Sequence, residues 1–184
     1  FINFGIKNFK KIDAAVYCSY PKSKKWGVSF ENLDEYYLNQ DLQKQLGGSI
    51  IFCQRIIKRF IQQKKGNLIL ISSIQGVQAP KFEHYKNLKM SSPIEYSAIK
   101  SGIISITKYL SKYYRNKNIR VNCVSPGGIK DNQSNEFVKR YRKSCNSIGL
   151  ISDSDVSKLI LFLLSEESKY INGQNLIIDD GWTL

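Results

Sequence analysis

The stretch SPIEYSAIKSG, residues 92–102, sets a phenol, Tyr96, four positions before an ammonium, Lys100. In a helix that spacing puts both side chains on one face, a single turn apart. Exposed helices of lysine-rich chains carry such pairs by chance, and the pair alone favours that plain reading. The chemical reading is that the ammonium depresses the phenol from its usual pKa of about 10, making a proton donor and acceptor usable near neutrality. The flanking sequence decides between them.

Upstream, DAAVYCS (13–19) and NLILISS (67–73) are short apolar runs bounded by Pro21 and by Gly66 and Gly76, as expected of strands buried on both faces. Between them Leu38, Leu42, Leu46, Ser49, Cys53, Ile56 and Phe60 recur at steps of three and four, one stripe of a long helix, with Gly66 as its expected terminator. Downstream, Ile99, Ile103, Ile106, Leu110 and Tyr113 repeat that spacing and lead into a third strand, IRVNCVS (119–125). A polar helix within 133–145 follows, then SDSDVSKLILFLLS (152–165), whose Ser152 and Asp155 form a helix-start pair, and a last strand, QNLIIDD (174–180). Continuous apolar strands alternating with helices call for a parallel sheet covered on both faces, an open α/β fold. Ser73, Tyr96, Lys100 and SPGG (125–128) then fall at the carboxyl ends of strands, where ligands of such sheets bind.

The chain has 184 residues, 42% of them hydrophobic, and reads as a single domain. No apolar run approaches the roughly 18 residues of a membrane span. A net charge of +13 raises nucleic acid as a partner, but the basic groups are scattered or sit on solvated faces at 22–25, 58–65 and 138–143. Neither a nucleic acid nor a membrane is therefore expected. Cys18, Cys53, Cys123 and Cys145 form no CxxC pair and His84 is the single histidine, so no metal centre is expected and a reduced, cytoplasmic setting fits. Cys18 and Cys123 read as buried hydrophobes of strands.

ILISSIQG (69–76), YSAIK (96–100), RVNCVSPGG (120–128) and INGQNLIIDDG (171–181), in that order, resemble the short-chain dehydrogenase/reductase family over essentially the whole length. The resemblance implies a Rossmann-like, doubly wound parallel sheet and NAD or NADP as cofactor. It implies Ser73 on the substrate oxygen, with the adjacent Ser72 an alternative, Tyr96 as acid and base, and Lys100 on the ribose hydroxyls. Pro126 and Gly127 would shape the turn under the nicotinamide, and the backbone of Ile129 would meet its carboxamide. Asn122 is expected to bond backbone at the end of the sheet. Homodimers or homotetramers would form through the helices at 34–64 and 95–116, using Ile50, Ile57 and Ile104.

Five departures qualify the carry-over. Tyr17, Cys18, Ser19 and Tyr20 stand where the family has Asn-Asn-Ala-Gly, Gln43 or Gln45 replaces a relay asparagine, and Asp131 replaces a threonine. Ser73 and Tyr96 are 23 positions apart, more than the family norm, and the extra loop QGVQAPKFEHYKNLKMSSP (75–93) reads either as a lid over a sugar or nucleotide sugar or as a plain surface excursion. That loop, with SPGGIKDNQ and DDGWTL, resembles the branch serving flagellin modification and surface-glycan biosynthesis. The family's N-terminal strands and glycine-rich turn are absent from residues 1–184, so these residues read as a single partial domain, expected by themselves to bind NAD(H) or NADP(H) negligibly. A 3-oxoacyl reductase and a truncated, non-catalytic scaffold are the competing readings.

Overall fold

Alternating apolar positions along β2 (Gly66–Ile71) and β3 (Ile119–Pro126) fix both faces of the sheet. Leu68, Leu70, Val121 and Cys123 point to one side, Ile69 and Val124 to the other. The computed structural model describes residues 2–184, and among them β1 (Ala14–Tyr17), β2, β3 and β4 (Asn175–Ile178) form one parallel sheet in the order β1-β2-β3-β4. The helices α3 (Gly48–Gln63) and α4 (Ile94–Tyr113) cover one face through Cys53, Ile56, Phe60, Ile99 and Ile103. On the other face lies α6 (Asp153–Leu164), through Val156 and Leu163. This is the doubly wound arrangement expected. Two short helices, α1 (Ile2–Phe9) and α2 (Glu35–Asp41), precede α3, and α5 (Asn135–Arg142) fills part of the connection from β3 to α6.

Several local expectations hold. Ser152 Oγ accepts from Asp155 N at 3.2 Å and donates to Asp155 Oδ2 at 2.6 Å, closing the start of α6. Asn122 donates to Ile171 O (2.8 Å) and accepts from Gln174 N (3.0 Å), tying the segment that feeds β4 to the sheet.

Others are corrected. The long helix at 34–64 is interrupted by a wide π-type turn, Leu42–Gly47, between α2 and α3. It ends at Lys64, which takes the left-handed conformation (φ 59°). Gly66 is not its terminator but the first residue of β2, where an added Cβ would lie 2.0 Å from the Phe60 ring. Glycine is there because the strand must pass against that ring. Ile57 is fully buried in the core, not part of a free face, and Tyr113 is exposed because the inward stripe of α4 continues through Thr107 and Leu110 to Tyr114. Cys18 lies beyond the end of β1 and is exposed.

The segment 75–93 is not a loose lid. It forms two short 3₁₀ turns, Ile74–Gly76 and Phe82–His84, and the second carries His84 into a cluster built on Phe137, Tyr141 and Trp182. His84 Nε2 pairs with Ser144 Oγ at 3.0 Å, and burial holds the imidazole below its ordinary pKa, so it stays neutral. Lys81 reaches over the Trp182 ring (4.6 Å) and donates to Trp182 O. Arg140 binds the carbonyls of Glu83 and Lys86. The C-terminal residues, α5 and this loop therefore share one small core.

Candidate active site

β2 ends at Ile71, and the two serines that follow have different tasks. Ser72 Oγ donates to the Lys100 carbonyl at 2.7 Å, pinning α4 to the end of the strand. Ser73 Oγ accepts from Gln75 N at 3.2 Å, starting the first 3₁₀ turn, and interacts with the Tyr96 phenol. Of the two serines, Ser72 is thus engaged with the Lys100 backbone, while Ser73, the one favoured from the sequence, is the one that bears on the phenol. The turn presses on α4 so closely that a Cβ at Gly76 would come within 2.6 Å of the Lys100 backbone, and Ser101 Oγ donates to Gly76 O at 2.9 Å. This contact sets the height of Ser73 relative to the first turns of α4.

Pro93 precedes the first residue of α4, so Tyr96 and Lys100 leave its first two turns on the same side. Lys100 Nζ donates to Ile71 O at 3.1 Å and lies 5.5 Å from the centre of the Tyr96 ring and 5.4 Å from that of Tyr20. Burial pulls the ammonium down to about 8, partly countered by Cys123 and Cys18. Burial pushes the Tyr96 phenol above its ordinary value, and the Ser73 hydroxyl pulls it back in part. The sequence led to the opposite direction. Here the phenol is raised, and desolvation rather than Lys100 governs it. The two sequence-derived partners share a face as expected, but each is held toward its neutral form.

Pro126 ends β3, and Gly127 N–H donates to Ile178 O at 2.8 Å, joining that turn to β4. Gly128 N–H donates to Tyr141 Oη. Ile129 lies at an isolated bridge to Ile151, and Gln133 folds back to donate to Ile129 O and accept from Asp131 N, both at 2.7 Å. The bridge leaves the Ile129 N–H without a protein acceptor among the described residues. Asp131, where the family has a threonine, thus enters the turn through its backbone.

Sequence reading missed the wall opposite Tyr96. Tyr20 and Trp26 meet its ring edge-on at 5.6 and 6.2 Å and each other at 5.4 Å. Asp41 fixes the segment carrying them by accepting from Ser23 N (2.8 Å) and Oγ (2.6 Å), and Gln45, in the π-type turn, donates to Pro21 O at 2.8 Å. Gln45, one of the two candidates for the relay position, is thus committed to loop support. Gln75 donates to Tyr85 Oη (3.0 Å) and accepts from Ser92 Oγ (2.5 Å) at the same mouth. The only signal for these contacts was the unusual Tyr-Pro and the loop length.

Comparison with known proteins agrees with this geometry. A family model described as enoyl-(acyl carrier protein) reductase matches residues 2–183. The post-translational flagellin modification protein A of Campylobacter coli is 45% identical over the whole chain, which covers 72% of that relative. The chain belongs to the short-chain dehydrogenase/reductase family of oxidoreductases. A 7alpha-hydroxysteroid dehydrogenase of Bacteroides fragilis is 30% identical over the whole chain and 69% of its own length. Among solved structures, a short-chain dehydrogenase of Leptospira borgpetersenii with bound NAD+ superposes with a TM-score of 0.89 at 32% identity, over all of this chain and 70% of that one. Within this family member no described helix is long and apolar enough to cross a membrane.

Proposed function

We propose that the protein transfers a hydride between NAD or NADP and a carbonyl or hydroxyl substrate, with Tyr96 as acid and base. The observation that carries this reading is the convergence of Ser73, Tyr96 and Lys100 beyond the carboxyl ends of β2 and β3. The residues fit the nicotinamide side of such a cofactor. Lys100 Nζ has one protein acceptor and so keeps donors for ribose hydroxyls, the Ile129 N–H is free for a carboxamide, and Pro126 and Gly127 turn beside them. A glycine-rich turn for the pyrophosphate does not occur among the described residues before β1. When bound, the nicotinamide supplies or takes the hydride.

Ser73 donates to the substrate oxygen and holds it beside Tyr96 Oη. At neutral pH the raised pKa keeps the phenol protonated, the form that gives its proton to an oxygen gaining charge, so reduction is the direction this resting state favours. Lys100, near its own midpoint around pH 8, stabilises the phenolate left behind. The serine assignment has a direct check. Ser73→Ala is expected to lower kcat by about one to three orders of magnitude by removing a donor to the reacting oxygen. Ser72→Ala should cost about 1 kcal/mol of stability with kcat nearly kept. Equal kcat losses in steady-state assays would reject the division of labour.

The substrate we propose is a sugar or nucleotide sugar of flagellin or surface-glycan biosynthesis, a reading whose flagellin-modification part is supported by the Campylobacter coli relative. A 3-oxoacyl reductase is the second reading, supported by a 34% identical relative of that activity in Chlamydia trachomatis, of which the chain covers 54%, and by an apolar cavity that adjoins the pocket lined by Tyr96. Four unpaired cysteines fit work in the cytoplasm. Association through α3 and α4 is supported by Ile50, Ile51, Tyr109 and Tyr113, which these helices leave in solvent. The full-length enzyme should therefore sediment as a dimer or tetramer at micromolar concentration, and a monomer would refute that assembly.

A further inference from the structure

Beside the Tyr96 phenol lies a small pocket of about 290 Å³, with Lys22, Trp26, Gln75 and Ser92 among its walls. It adjoins a larger cavity of about 640 Å³, the two sharing Met90, Ser91, Ser92 and Pro93 as walls. Their chemistry differs. The small pocket holds the polar groups, whereas the larger is faced by Val28, Phe30, Pro80, Phe82, Met90 and Ile94.

Two loops from opposite sides of the site build these walls. They are tied together by Ser91 Oγ donating to Gly27 O at 2.6 Å, so the cavity is bridged rather than an open gap. Two of the polar side chains of the 75–93 loop point away from the cavity. His84 is turned into the core, and Lys81 lies on Trp182. What the loop offers the cavity is Pro80, Phe82, Tyr85 and Met90. Phe30, Phe82 and Ile94 are 65%, 66% and 51% exposed around its mouth. Single exposed apolar side chains are ordinary, but three around one cavity mark a surface that gains by being covered.

We infer that this cavity seats an apolar acyl or alkyl substituent of the substrate, whose reacting carbon lies in the small pocket against Tyr96. The inference rests on the assignment of Tyr96 as the acid and base. Adjacency decides the occupant, because the two spaces share Met90, Ser91, Ser92 and Pro93, and a molecule extending from the phenol past Ser92 comes to the apolar walls. The substrate class is then a hydroxyl-bearing head carrying a medium-length apolar group, chemistry common to an acylated sugar and an oxoacyl compound.

The test is calorimetric titration of the full-length enzyme with methyl, butyl and hexyl β-glucosides below their micelle concentrations. Each methylene buried is worth about a threefold to fourfold gain in affinity, so hexyl glucoside should bind at least about tenfold more tightly than methyl glucoside. Ala79→Trp, at an exposed position of the cavity wall, should flatten this dependence by filling the space. Phe82→Ser, at an exposed position where the fold is not at risk, should weaken it. No gain with chain length in the unaltered enzyme, including no binding of any of the three, overturns the inference. So does a dependence undiminished in both variants. Failure of the acid and base assignment is seen separately, as normal turnover after removal of the Tyr96 hydroxyl with the length dependence intact.

Discussion

Tyr96→Phe is expected to lower turnover of the full-length enzyme by about two to four orders of magnitude while the fold remains. The change deletes one oxygen and keeps the ring, so the edge-on contacts with Tyr20 and Trp26 that close the site persist. No neighbour is placed to substitute. His84 is packed among aromatic rings with its Nε2 on Ser144, and the phenol of Tyr20 is raised further by burial and by the proximity of Tyr96. The pH profile gives a second readout. Reduction needs the protonated phenol, whose folded pKa lies above 10.0, so the rate should hold through neutrality and fall only in the alkaline range. That limb should vanish with the hydroxyl. Near-normal kcat in the variant would remove Tyr96 from the chemistry.

Lys100→Met should make the protein more stable at neutral pH and poorer at binding its cofactor. The fold lowers the ammonium from 10.5 to about 8, chiefly by burial, so the cationic side chain is penalised in the native state. At about 1.4 kcal/mol per pH unit the penalty is on the order of 3 kcal/mol. Loss of the hydrogen bond to Ile71 O returns about 1 kcal/mol of that, leaving a net gain of about 2 kcal/mol for the variant. The sign follows from proton counting. Below about pH 8 both folded and unfolded chains hold the proton and the penalty is full. Between about 8 and 10.5 the unfolded chain holds more, so the stability of the unaltered protein rises and the advantage of the variant fades. Urea unfolding at pH 7 and pH 10 checks this, with nicotinamide dinucleotide titration expected to show at least a tenfold loss of affinity. A variant less stable at pH 7 would mean that the ammonium supports the fold rather than burdening it.

Sequence patterning carried the sheet well because β2 and β3 are dominated by apolar residues buried on both faces, although the edge strands β1 and β4, expected to be buried likewise, leave Val16 and Ile177 partly in solvent. Ser73, Tyr96 and Lys100 were legible through short motifs whose members lie within a few residues of a strand end or a helix start. The wall formed by Tyr20 and Trp26 was not, since it depends on Asp41 and Gln45 gripping a loop about twenty residues earlier. The lid was misread for a related reason. Composition lists side chains without direction, and the inward turn of His84 is decided by Phe137, Tyr141 and Trp182, which lie far along the chain. The pKa of Tyr96 came out opposite in direction because spacing reports the nearness of a charge but not how much water burial removes.

The wide turn at Leu42–Gly47 makes the helix phase itself a structural variable. One residue fewer there would restore ordinary α-helical bonding and turn everything on its N-terminal side by about 100° about the axis. The apolar stripe of α3 would be untouched, yet Asp41 would swing away from Ser23 and the aromatic wall would lose its tether. Length in this segment is therefore under tighter constraint than residue type. A conservative replacement within 42–47 disturbs one contact, whereas a single deletion misaligns the loop that faces the phenol.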